Sequence, residues 1–149
     1  MKMITYSHKD GPAGVRFSQY AKDPVPLWAV DVREVTGVKT SELQGAALDW
    51  AVAKAEGHNV RKQWSGFLFI MDGEKQVCEW KPSTAWAQGG PIIERELYSL
   101  QHIQSPEWEW AASADGGNAG YGPTPLIAAM RCYVASKLGD EAEIPEELK

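Results

Sequence analysis

The chain has 149 residues, 44% of them hydrophobic and 23% charged. That is the balance of an ordinary globular domain, and at this length folding hides roughly 70% of the unfolded chain's surface, so a core forms without disulfides or a structural metal. The net charge of −5 is uneven: the last ten residues, DEAEIPEELK, sum to −4 and leave −1 for the rest. A body without cationic excess argues against wrapping a nucleic-acid backbone, but not against a small anion clamped by two or three arginines. The acidic end reads as a solvated, partly frayed tail, with a nucleic-acid-mimicking patch as the minor alternative. Cys78 and Cys132 lie in no C-x-x-C and near no histidine cluster, so their spacing suggests neither zinc nor redox chemistry. With no apolar signal region and no run of 18 apolar residues, the chain is expected in the cytosol with reduced thiols.

In chain order, KMITYS and GVRFSQY are short strand candidates, and the prolines of KDPVPLW forbid helix in the connector that follows. LWAVDVREV alternates, with Trp28, Val30 and Val32 on one face and Ala29, Asp31 and Arg33 on the other, the period of a half-buried strand. Gly37 is expected to end it. Ser41 and Gln44 fit a capping box, and Leu43, Ala47, Trp50 and Lys54 recur at helical spacing up to Gly57, which predicts a helix over 41–56. FLFIM and QVCEW read as a hairpin around Asp72-Gly73.

The segment STAWAQGGPIIERE reads as a turn between packed segments: Pro91 favours a turn with a restart, Ile92 and Ile93 favour burial, and Trp86 and Gln88 border a site. ELYSLQHI and EWEWA read as strands, the latter with Trp108 and Trp110 on one face. ASADGGNAGYGP reads as a flexible loop. TPLIAAMRCYVASKLG is the clearest helix, about 125–138, with Thr124 as N-cap, Pro125 at the first position, Ile127, Met130, Val134 and Leu138 as its buried stripe, and Gly139 as its end. The sum is an α+β domain with a mainly antiparallel sheet, two principal helices and a β-rich N-terminal extension.

Motifs for nucleophilic, zinc-dependent or P-loop chemistry are absent from the sequence. His8, His58 and His102 are isolated and read as structural, since a general base needs a positioned partner. Cys132 reads as core. The glycines at 116–122 lead into a helix start, where free N–H groups bind anions, but their order does not match G-x-G-x-x-G, and a plain loop is the blander reading. Among the arginines, Arg61 is a clamp candidate, Arg95 lies between Glu94 and Glu96 and suits a surface ion pair, and Arg131 interrupts an apolar helix. It either snorkels to the surface or projects into a pocket. Trp64, Trp80, Trp86, Trp108 and Trp110 supply flat surface for stacking a base or fill the core.

Three blocks, VKTSELQGAALDWAVAKAEG, PSTAWAQGGPIIERE and GPTPLIAAMRCYVASKLGDE, resemble the NinX-like phage and prophage proteins, a family defined as a domain of unknown function. The resemblance covers residues 38–141. It makes residues 1–37 an extension packed on the core and 142–149 an acidic tail, and it places Ala85 where the family commonly has an aspartate, leaving any role of that acid in doubt. A second, weaker similarity joins Gly57, Val60, Arg61 and Trp64 to phage proteins that sequester nucleotide signals of the Thoeris defence.

These resemblances imply a phage accessory protein acting in the host bacterial cytoplasm. With the Trp and Gly content and the missing catalytic groups, they favour a non-enzymatic protein that captures a small nucleotide-like ligand. Trp64, Trp86, Trp108 and Tyr121 would border or stack the ligand. Arg61, Arg95 and Arg131 would pair with its phosphate, and Gln88, Gly89 and Thr124 would complete the site. No cofactor, metal, membrane, DNA or RNA is expected, and a homo-oligomer is. The rival is a protein–protein inhibitor of a host defence enzyme acting through its surface or acidic tail; a hydrolase built on scattered carboxylates is the least favoured.

Overall fold

Helix α3 (Pro125–Leu138) lies at the centre of the molecule and is buried on nearly every side: Ala128, Ala129, Met130, Cys132 and Val134 are inaccessible to solvent. It differs from the single buried stripe expected of it, because strands and helices pack around it, and Leu138, the last residue of that stripe, is exposed. Its start is as expected. Thr124 Oγ1 accepts the Ile127 N–H at 3.2 Å, and Pro125 occupies the first turn, where no N–H is needed.

The computed structural model describes residues 3–8, 16–20, 27 and 29–148. Most of the KDPVPLW connector, and the side chains of His8 and of the alternating stretch from Trp28 to Arg33, lie outside the described residues. Among those described, ten strands form three antiparallel sheets with three α-helices, an α+β fold.

The first sheet has the order β10 (Glu141–Pro145), β3 (Ala29–Lys39), β1 (Met3–His8), β2 (Phe17–Tyr20). Two expectations fail here. Gly37 does not end its strand but pairs with Glu143 inside it, and the Glu141 side chain lies across Gly37 where a Cβ would stand. The acidic end is not frayed over 141–148. It is strand β10 followed by a 3₁₀ turn at Glu146–Leu148. Its acids alternate with apolar residues, so Glu141 and Glu143 face solvent while Ala142 and Ile144 enter the core, as does Leu148 beyond them.

Helix α1 spans Gly45–Glu56 and ends, as expected, on a left-handed Gly57. It begins four residues after Ser41, so the capping box does not form. Residues Thr40–Glu42 make a 3₁₀ turn, held because Thr40 bonds the chain beyond α3: its N–H reaches the Asp140 carbonyl at 2.8 Å and its Oγ1 the Gly139 carbonyl at 2.7 Å. Tertiary contacts thus override the local start signal.

The second sheet is β4 (Val60–Lys62), β5 (Leu68–Asp72) and β6 (Lys75–Glu79), the last two joined by the expected tight turn with Gly73 at positive φ. The segment expected as a turn with a restart is instead helix α2 (Trp86–Glu96), with Pro91 inside it. Gly-Gly-Pro argues against helix by propensity, but Ile92 and Gly89 are buried and α2 packs on α3. Gln88 ties the helix to β6, its Oε1 accepting the Lys81 N–H at 2.7 Å and its Nε2 donating to the Glu79 carbonyl at 2.6 Å.

The third sheet is β7 (Leu97–His102), β8 (Trp110–Ala114) and β9 (Ala119–Gly122). Its second strand starts at Trp110, so Trp108 precedes it rather than sharing a strand face with Trp110. The segment read as a flexible glycine loop is the hairpin of β8 and β9. Its glycines serve packing: a Cβ at Gly120 would stand 2.3 Å from the Ala128 carbonyl oxygen and 2.4 Å from the Cys132 nitrogen. Only a residue without a side chain lets α3 lie this close to the sheet. Among the described residues no helix is long and apolar enough to cross a membrane.

Candidate functional site

Arg131 is 4% exposed, an unusual place for a guanidinium. Its position on α3 turns it toward β9 and the segment before α1. Nε donates to the Leu43 carbonyl and Nη1 to the Tyr121 carbonyl, both at 2.8 Å, and the guanidinium carbon lies 5.3 Å from the centre of the Trp108 ring. Burial pushes its pKa down from the ordinary value, yet an arginine stays charged in a protein. Among the described residues no carboxylate pairs with it. The result is a buried cation satisfied by backbone dipoles and an aromatic face, without a counter-ion among the described residues.

This cation forms part of the wall of a cleft of about 360 Å³. Trp108, Tyr121 and Gly120 form one side, Lys39, Thr40 and Ser41 another, and Asp140 and Glu141 a third. Tyr121 is 47% exposed and Trp108 is half-buried. Two cations face two acids, so the cleft as a whole is near neutral and suits a ligand of few charges with a flat apolar part. Three residues named from sequence, Trp108, Tyr121 and Arg131, are brought together here.

A second cavity, about 310 Å³, lies between the first sheet and α1, with Thr5, Arg16, Trp50, Lys54 and Glu143 on its walls. Sequence reasoning did not anticipate it. Arg16 donates to Thr5 Oγ1 from Nε and Nη2, and the Lys54 ammonium sits 4.5 Å from the Trp50 ring centre. The one available signal was the i, i+4 spacing of Trp50 and Lys54. A third cavity, about 260 Å³, lies where α2 and α3 begin and is walled by Ser83, Thr84, Trp86 and residues 124–127. It gathers Trp86 and Thr124 from the sequence candidates.

The other candidates lie elsewhere. Arg61 pairs with Glu74 at 3.3 Å on an exposed strand, and Trp64 is 98% exposed in the loop that follows; neither lines these three cavities. Arg95 bonds Glu56 and Glu96 and, with the Lys137–Glu96 pair, links the ends of the three helices. Gln88 is committed to the β6–α2 junction. Gly89 lies against the Pro82 carbonyl and Leu126 and brings α2 onto α3. His58 and His102 stand edge-on to Trp80 and Trp110.

One buried acid escaped the sequence reading. Asp49 on α1 is 6% exposed. Its Oδ1 accepts the Ser83 N–H at 2.8 Å and its carbonyl accepts Trp80 Nε1 at 2.9 Å. Burial pushes its pKa up to about 6, against the opposing pull of the Ser83 backbone and side chain. Burial likewise holds the Cys132 thiol at about 11, unreactive at neutral pH. Among the described residues no three His, Cys, Asp or Glu stand close enough together to hold a metal ion.

An α+β domain with ligand-sized cavities beside its helices is the class this geometry defines. The chain matches the family model of bacteriophage P22 NinX over residues 39–137 and belongs to that family, which makes it a phage accessory protein. The search of curated proteins returned no match. The matched stretch contains α1, α2, all of α3 but Leu138, and the second and third sheets. Strands β1, β2 and β10, and all of β3 but Lys39, lie outside it.

Proposed function

We propose that this phage accessory protein binds a small nucleotide-like ligand in the Arg131 cleft and holds it without turnover. The observation that carries the reading is a buried guanidinium, stacked by Trp108 and with no carboxylate partner among the described residues, on the wall of a cleft. A phosphate oxygen would complete its charge, since charge-assisted bonds to guanidinium are among the strongest available. Trp108 and Tyr121 would take a base on their faces, worth about 1–3 kcal/mol per stacked base. The balancing acids Asp140 and Glu141 favour one or two phosphate charges over a polyanion. A host signal held this way is withdrawn from its receptor.

The test is calorimetric titration against mononucleotides, linear dinucleotides and cyclic dinucleotides, with native mass spectrometry to recover the ligand and count subunits. One class is expected to bind and be released chemically unchanged. Trp108→Ala should weaken it by about tenfold or more, the loss of one stacking contact. Absence of binding to every nucleotide at millimolar concentration would overturn the reading.

The exposed Trp64, Phe67 and Val77 around the β4–β6 sheet favour a second reading, contact with a host protein. Large exposed apolar side chains close together mark interaction surfaces. Loss of a captured host polypeptide on Trp64→Ala, with nucleotide titrations flat, would favour it over the first.

A further inference from the structure

Strand β9 is an outer strand of its sheet, paired with β8. The Ala114 N–H bonds the Asn118 carbonyl at 3.0 Å. By the alternation of an antiparallel ladder, Gly120 and Gly122 then bond β8, while Ala119 and Tyr121 turn their N–H and carbonyl groups away from it. That outward edge borders the Arg131 cleft. Arg131 Nη1 donates to the Tyr121 carbonyl there at 2.8 Å. Among the described residues no acceptor takes the Tyr121 N–H. A donor without a protein partner therefore stands beside the buried guanidinium.

Another wall carries an acceptor in the same condition. Asp140 follows α3 and its end at Gly139, and its carbonyl accepts the Thr40 N–H at 2.8 Å, which ties its backbone to the segment before α1. Its carboxylate is exposed and, among the described residues, has neither an ion pair nor a hydrogen bond. Glu141 differs, since its side chain lies across Gly37 of β3. The cleft thus offers a nucleotide an uncommitted carboxylate on one wall, with the Tyr121 N–H and the Lys39 ammonium on others. Base chemistry decides what suits this set. A carboxylate accepts two N–H bonds side by side. Adenine and cytosine present one amino group beside a ring-nitrogen lone pair, and uracil one N–H between two carbonyls, so each sets a lone pair against the carboxylate. Guanine presents two adjacent donors, N1–H and the 2-amino group, and on its other edge two adjacent acceptors, O6 and N7.

We propose that the Arg131 cleft selects guanine nucleotides, with Asp140 as the specificity-determining residue. The Asp140 carboxylate accepts N1–H and the 2-amino group, and the Tyr121 N–H donates to the O6 and N7 edge. The assignment rests on the nucleotide reading of the cleft and adds to it which base is held. Arg131 keeps the phosphate. Affinity for any nucleotide and preference among bases therefore come from different residues, and a substitution can change one without the other.

The experiment is calorimetric titration of the full chain, at one salt concentration, with the monophosphates of guanosine, adenosine, cytidine, uridine and inosine, and with the all-guanine and all-adenine cyclic dinucleotides. Guanine ligands are expected to bind about tenfold tighter or more than the others, the worth of a charge-assisted hydrogen bond. Inosine monophosphate, which keeps O6 and N1–H but lacks the 2-amino group, should lose most of that advantage. Asp140→Asn should melt at the temperature of the parent, because the carboxylate bonds nothing in the described protein. It should bring guanine down to the level of adenine and leave the adenine affinity as it was or higher. A purely electrostatic role for Asp140 gives a different result, with every nucleotide binding the variant more tightly by the same factor. That result, equal affinity among the bases in the parent, or inosine binding as tightly as guanosine, would overturn the assignment and leave the nucleotide reading standing. Flat titrations with every ligand would overturn both.

Discussion

Replacing Asp49 with asparagine isolates the cost of one buried charge. The carboxyl is pushed from its ordinary 3.8 to about 6, burial being the largest cause. One pKa unit is 1.36 kcal/mol, so a shift of roughly two units makes the ionised form about 3 kcal/mol less favourable in the folded chain than in the unfolded one. The folded state therefore holds the proton more tightly. Below about pH 3 both states are protonated and the penalty is absent. It grows as the pH rises through about 6, then stays constant. Asp49→Asn has no charge to bury and keeps an Oδ1 acceptor for the Ser83 N–H, though its new NH₂ group costs about 1–3 kcal/mol if it finds no acceptor. That cost does not depend on pH. The decisive quantity is thus the difference between variant and parent, measured by urea denaturation from pH 3 to 7. It should shift in the variant's favour by about 3 kcal/mol over that range. Parallel stability curves would show that Asp49 is not titrating in the folded protein and that the argument from burial is wrong.

Gly120→Ala should cost about 3 kcal/mol or more, at the upper end for overpacking, because its Cβ would meet α3 backbone rather than a mobile side chain. A melting temperature within a degree or two of the parent would show that the sheet can move away. Deleting residues 141–149 removes β10 together with the buried Ile144 and Leu148, worth about 1.5–3 kcal/mol each; a solvated tail would leave the urea midpoint unchanged. Thr124→Ala should cost about 1 kcal/mol by removing the α3 cap, and an unchanged thermal midpoint would count against that bond.

Much of the fold was legible because its signals were local. Thr124-Pro125 and Gly139 bracket α3 as their chemistry requires, and the Asp72-Gly73 turn closes its hairpin. Glycine was the main source of error, because composition does not distinguish its uses. Gly37, Gly89, Gly120 and Gly122 read as breaks or loops, yet each lies within a strand or helix, and at Gly89, Gly120 and Gly122 neighbouring backbone leaves no room for a Cβ. Residues 41–44 carried a genuine helix-start pattern that lost to the bonds between Thr40 and the chain after α3. In the candidate site, Arg131 stood out because a charge in an apolar helix is costly unless it is satisfied. Its two carbonyl acceptors could not be foreseen, since Leu43 is 88 residues away in sequence. The cavity beside Trp50 stayed hidden for the same reason: its walls come from both ends of the chain.

That last cavity bears on how the chain is built. Trp108, Tyr121 and Arg131, the aromatic and cationic parts of the cleft, all lie within the stretch that matches the NinX family, whereas Asp140 and Glu141, the acids facing them, lie beyond it. Glu141 also lines the cavity beside Trp50, so strand β10 forms a wall common to both spaces. The pairing of β10 with β3 fixes that wall, and β3 in turn is held by β1. The matched stretch thus supplies the aromatic and cationic groups of the cleft, and the chain beyond it supplies the facing acids. Replacing Glu141 alters the charge at both cavities at once. Replacing Asp140 alters only the Arg131 cleft, and comparing the two separates the effect of charge at the cleft from the integrity of the sheet.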